Sequence, residues 1–219
     1  MGNAWLKANS AGTGAYVLKS FKPNEGYVLE ARQGHWRGDA KIKNIFMQHI
    51  PEGATERLLL EKGDIDIARE LTPTDLEGLA GNADVKIQGD VGGQVYYLAL
   101  NQKKAELANP KVQEAMRWAI DYTGMQDSIL KGLWVVHQTF LPKGFLGSID
   151  ENPYSLDIEK AKALMAESGL TLPIEIGFTV RNNQERMDIA TSIQNTFAQI
   201  GINLVMDVGD GKQGLETYR

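Results

Sequence analysis

Residues 94–121, QVYYLALNQKKAELANPKVQEAMRWAID, constrain the fold more than any other stretch. Val95–Asn101 runs through β-branched, aromatic and aliphatic residues without a break, the composition of a buried strand. Gln102–Asn109 is polar and basic, so a loop follows. Asn109 is then placed to cap a helix, with Pro110 at its first position, where a missing N–H costs nothing. Val112, Ala115, Met116, Ala119 and Ile120 recur at helical spacing and form a core-facing stripe. Strand, loop and capped helix follow one another within 28 residues.

The rest of the chain supplies more units of this kind. Tyr16–Phe21 and Tyr27–Arg32 read as a hairpin around the turn Lys22–Gly26, KPNEG, and Ile42–Ile50 as a third strand. Ala54–Lys62 reads as a helix stopped by Gly63. Ile65–Ala68 alternates as a strand. Thr72 opens T-P-T-D, a capping box for a helix to about Ala80. Val85–Gln88 is a short strand, and Gly89–Gly93, GDVGG, is the most flexible interior spot. Thr123 is placed to cap a helix over Gly124–Lys131. Leu133–Ile149 is a long aromatic loop, a type that is commonly functional or an interface. Ser155 or Asp157 caps a helix to Ser168. Ile174–Val180, a helix over Gln184–Ile200 and a strand over Ile202–Val208 form a strand–helix–strand unit with parallel strands.

Composition excludes several functions. The net charge of −5 gives no electrostatic support to a nucleic-acid partner. Absence of cysteine rules out disulfides, thiolate nucleophiles and Cys-ligated metals. No apolar run approaches the roughly 20 residues that span a bilayer.

The order of these motifs resembles a known family. GTG-x-Y at Gly12–Tyr16, the hairpin, the x-W-x-G loop around Trp36, the G-D-I-D-I segment from Gly63, the YYL-x-x-N strand, the P-x-V-x-x-A-x-x-x-A-I-D helix and the I-G-I ending at Ile202 are similar to the extracytoplasmic solute-binding proteins of peptide-type ABC importers (family 5, dipeptide/oligopeptide-binding). His35 stands where that family commonly has an aromatic residue. The resemblance implies an α/β, two-lobed periplasmic-binding-protein-like fold (type II, peptide-binding cluster). Residues 1–93 are expected to form part of a first lobe and 94–219 part of a second, with a hinge near Gly89–Gly93. Family members are longer on both sides, so the chain is expected to be a central portion with incomplete lobes. Met1–Thr13 has no apolar segment between a basic start and a cleavage site, so an export signal is expected upstream of this numbering.

The function implied by the resemblance is capture of a peptide-like or other small solute between two lobes outside the cytoplasm, for delivery to the importer's membrane subunits. The alternative is a folding or interaction module without a ligand. Incomplete sheets would leave edges through which copies could associate. No cofactor or metal is expected, and no catalytic constellation is visible. The three histidines are scattered, with His49 structural in a strand, and no nucleophile elbow, zinc motif or P-loop occurs. Asp64 and Asp66 read as the wet face of a strand, and Asp207–Gly211, DVGDG, as a turn rather than a calcium loop.

A binding face is expected on the strand of the opening stretch. Tyr96, Leu98 and Leu100 make its more apolar face and are assigned to the core. Tyr97, Ala99 and Asn101 share the other face. Ala99 stands where peptide-binding family members can have an acid, so a ligand amine would be met elsewhere. Trp134 and His137 would add a wall from the long loop, and Arg181, beyond the carboxyl end of its strand, would meet a carboxylate. Trp36 is expected to contribute to stability instead.

Overall fold

A computed structural model describes residues 3–6, 9–69, 71–89 and 92–210. The chain divides into two compact units, Met1–Leu71 and Thr72–Arg219. The described residues of 72–93 keep company with the second unit. Lys131 Nζ lies 2.7 Å from Glu77 Oε1, and the Phe145 ring lies so close to Gly93 that a Cβ there would sit 2.7 Å from it. This division by compactness therefore falls before the glycine segment, not after it. Asp90 and Val91 of that segment lie outside the described residues.

In the first unit a short helix α1 (Asn3–Leu6) precedes three antiparallel strands, β1 (Tyr16–Lys22), β2 (Gly26–Ala31) and β3 (Asn44–Gln48), in that spatial order. The turn between β1 and β2 uses Asn24 at φ 61° and Gly26 at φ 145°. Gly26 is obligatory here, since a Cβ would lie 2.0 Å from the Met47 carbonyl oxygen on β3. Helix α2 (Gly53–Lys62) ends on Gly63 at φ 76°, whose N–H returns to the carbonyls of Leu59 and Leu60. Ile65–Ala68 forms no ladder, contrary to expectation, and Ile67 is 77% exposed. Alternation marks a strand only when a neighbour pairs with it, and none does among the described residues.

The second unit begins with α3 (Pro73–Leu79). Its capping box is complete: Asp75 N–H donates to Thr72 Oγ1 and Thr72 N–H to Asp75 Oδ2. Val85–Gln88 is not a strand. A one-turn helix α4 (Ala105–Ala108) sits in what reads as loop, and α5 (Pro110–Trp118) follows with Asn109 Oδ1 accepting from Lys111 N–H. Helix α6 (Tyr122–Asp127) is shorter than expected. Its cap is Asp121, which accepts from Gly124 N–H, rather than Thr123. Helix α7 (Ile158–Glu167) is capped by Asp157.

Strands β4 (Ile174–Arg181) and β5 (Ile202–Gly209) flank α8 (Gln184–Ala198) and pair in parallel from Ile174↔Ile202 to Arg181↔Gly209. The ladder carries Asp207 and Val208 inside β5, so the turn expected over Asp207–Gly211 does not begin there, and Gly211 lies outside the described residues. The core unites α5, α7, α8 and the two strands through Val112, Met116, Met165, Ile176, Phe197 and Ile202. Val112 and Met116 belong to the stripe read from the sequence, and burial of the whole cluster holds the short helices together. Among the described residues no helix is long and apolar enough to cross a membrane.

Candidate functional site

The opening strand, residues 95–101, makes no ladder among the described residues. Its two faces nevertheless separate. Leu98 and Leu100 pack against the core cluster, while Tyr97, at 77% exposure, Ala99 and Asn101 face outward. Asn101 is partly engaged by its own turn: its Oδ1 accepts from Lys103 N–H at 3.1 Å and its carbonyl from Lys104 N–H at 3.0 Å.

Tyr96 departs from expectation. It is 38% exposed and does not enter the core. Its ring stacks on Trp134 with centroids 4.3 Å apart, tilted by 40°. Both rings converge on one carboxylate. Trp134 Nε1 donates to Glu185 Oε2 at 3.0 Å, and the Tyr96 hydroxyl donates to Glu185 Oε1. The Arg186 guanidinium lies 5.6 Å from the Tyr96 ring centre. Burial pushes the Tyr96 phenol above its ordinary range, the Glu185 hydrogen bond and charge add to this, and Arg186 opposes it. Trp134 thus supplies a wall, but the strand residue beside it is Tyr96.

The loop carrying Trp134, residues 133–149, has neither helix nor strand. Side chains hold it in place of a ladder. Gln138 donates to the Tyr154 carbonyl and accepts from the Tyr154 N–H, and Gln126 Oε1 accepts from Val136 N–H. His137 Nε2 lies 2.6 Å from the Leu141 carbonyl and 2.8 Å from Thr139 Oγ1. A carbonyl only accepts, so Nε2 carries the proton. The imidazole edge proposed for a ligand wall is occupied within the loop, and its Nδ1 is buried without a partner. The loop exposes Val135, Phe140, Leu146 and Ile149.

Arg181 is exposed at the carboxyl end of β4, with Asn183 Oδ1 capping α8 two residues on. The structure therefore joins Trp134 with Tyr96, and both with Glu185. Among the described residues no hydrogen bond, ion pair or ring contact links Tyr97, Ala99, Asn101 and Arg181 to one another, and His137 serves its own loop. Sequence reasoning missed Glu185 and Arg186. The only available signal was an acid in the first turn of a helix, a common position with a purely local explanation. In the first unit, Trp36 is 72% exposed, with the Arg37 guanidinium 4.6 Å from its ring centre and only a long 3.4 Å bond to the Thr13 carbonyl. Its expected role in stability is accordingly revised to a small one.

The geometry contains no metal-binding cluster among the described residues. It consists of an α/β unit with aromatic rings, a carboxylate and arginines near strand and helix ends, in the fold of the type II periplasmic binding proteins of the peptide-binding cluster. A periplasmic binding protein from Helicobacter pylori, solved in complex with the peptide STSA, superposes with a TM-score of 0.84 at 24% identity, over 93% of this chain and 40% of that one. Residues 2–219 match the family described as bacterial extracellular solute-binding proteins, family 5 Middle, and the chain belongs to that family. It is 30% identical over 200 residues to the probable D,D-dipeptide-binding periplasmic protein of Escherichia coli, covering 90% of this chain and 39% of the relative. It is 26% identical over 203 residues to heme-binding protein A of Haemophilus influenzae, covering 90% and 37%. The chain thus spans about two-fifths of the length of the curated relatives it matches. These relatives are binding proteins rather than enzymes, and the E. coli protein is periplasmic by name.

Proposed function

We propose that this chain is part of the solute-binding component of an ABC importer, acting outside the cytoplasm and capturing a peptide-like or other small solute between two lobes. The order of the family motifs favours a first lobe over residues 1–93 and a second over 94–219, although the second compact unit begins at Thr72, and the importer's membrane subunits are the partner. The role is binding and release without catalysis. The observation that carries this reading is the family match over nearly the whole chain. The peptide named with the H. pylori structure and the dipeptide in the E. coli relative's name favour a peptide-like ligand.

The ligand face consists of Tyr97, Ala99 and Asn101, with Trp134 as aromatic wall and Arg181 as the cation for a carboxylate. His137 contributes by shaping the loop that presents Trp134. An aromatic wall with a few polar groups suits a small amphipathic ligand. Ala99 offers no charge, so a ligand amine is met by other groups. Isothermal titration of the protein with a panel of di-, tri- and tetrapeptides tests the reading. Saturable heat with one peptide class is expected, and it should be lost in Trp134→Ala. A flat response to the whole panel, from protein shown to be folded, refutes peptide capture by this chain and leaves the interaction-module reading.

A further inference from the structure

The two rings of the candidate wall come from segments far apart in sequence, and neither lies on a helix or a paired strand. Tyr96 sits on a segment that forms no strand, and Trp134 on a loop without regular structure. What both share is Glu185, on the first turn of α8, a helix anchored in the core through Ala190, Ile193 and Phe197. A Trp indole can only donate a hydrogen bond, so Trp134 needs an acceptor at that spot. The two carboxylate oxygens satisfy one donor each. The geometry points to Glu185 as a positioning residue. It ties Tyr96 and Trp134 into one stacked pair and transmits the rigidity of α8 to Trp134, the aromatic wall of the proposed ligand face.

Ring stacking alone does not set the orientation of the pair, because offset and tilted arrangements are close in energy. Two directional bonds to a carboxylate do set it, and charge-assisted bonds are the stronger kind. The Arg186 guanidinium approaches the Tyr96 ring from the next residue of the same helix turn, so α8 contacts the pair twice. The inference rests on the peptide-capture reading only for its consequence on binding. The positioning itself is a property of the ligand-free protein.

The test uses the full chain, labelled with nitrogen-15, and follows its four indole N–H resonances, with that of Trp134 assigned by Trp134→Phe. In the wild type the Trp134 resonance should be single and sharp, with hydrogen exchange at least tenfold slower than that of the exposed Trp36. Glu185→Leu removes both acceptors while keeping bulk. It should shift and broaden the Trp134 resonance and weaken binding of whichever panel peptide the wild type binds by about tenfold, the usual equivalent of one lost charge-assisted bond. Glu185→Gln should restore the resonance, because its carbonyl can accept from Trp134 and its amide can donate to the Tyr96 oxygen. An unchanged Trp134 resonance in Glu185→Leu overturns the proposal. If that variant does not fold, equal exchange rates for Trp134 and Trp36 in the wild type overturn it. If no panel peptide binds the wild type, peptide capture fails while the resonances still decide the positioning role.

Discussion

Replacing Phe197 with alanine should damage the second unit more than almost any other single truncation. Phe197 is completely buried and belongs to the same cluster as Val112 and Met116 of α5, Met165 of α7, Ile176 of β4 and Ile202 of β5. Every layer of the unit meets in that cluster, so no single element can move to fill the space without opening another contact. Truncation then costs the lost transfer energy of the ring plus a cavity term, together about 3–5 kcal/mol. The control is Leu146→Ala in the long loop, a residue fully exposed to solvent, where about 0.5 kcal/mol or less is expected. Urea unfolding followed by tryptophan fluorescence measures both. Trp5 and Trp36 should first be changed to Phe, so that Trp118 and Trp134 report the second unit alone. The midpoint should fall with little change in slope, and Tm should drop by roughly 10 °C at the usual conversion for units of this size. A loss below about 1 kcal/mol, or equal losses for the two variants, would mean that the α5–α7–α8–sheet packing is not the core of this unit.

Gly26→Ala should disrupt the pairing of β2 with β3, because the new methyl meets the Met47 carbonyl oxygen; a cost of about 2 kcal/mol or more is expected in thermal unfolding of the first unit, and a neutral outcome contradicts the described register. Thr72→Ala should cost about 1 kcal/mol through the lost capping box, measurable by the same melts. Burial pushes the Tyr122 phenol up to about 12. Its folded value therefore exceeds its unfolded one, so its contribution is intact below about pH 10 and is lost as pH rises toward 12; Tyr122→Phe should flatten the alkaline fall in stability, and an unchanged slope rules this out. Trp134→Ala should weaken ligand binding by roughly 30-fold, as for a buried aromatic anchor, whereas Trp36→Ala should change both stability and binding little.

Local chemistry wrote much of this molecule directly into its sequence. The caps at Thr72 and Asn109, the glycine stop at Gly63 and the stripe of α5 act within one helical turn of themselves, so neighbouring residues suffice to specify them, whereas the choice of Asp157 over Ser155 as the cap of α7 was made by the fold. The parallel β4–α8–β5 unit was legible for the same reason: the periodicity changes sharply at Arg181 and again at Gly201. Strand status was not legible where it depends on a partner. Residues 65–68 and 95–101 carry strand-like patterns, yet a ladder requires another segment to supply its hydrogen bonds, and that is a property of the whole fold. The candidate wall belongs to this second kind. Tyr96 left the core face assigned to it because a carboxylate 89 positions away, on the first turn of α8, accepts its hydroxyl. Contacts of that range carry no local periodicity. Only tertiary packing brought Tyr96, Trp134 and Glu185 to one place.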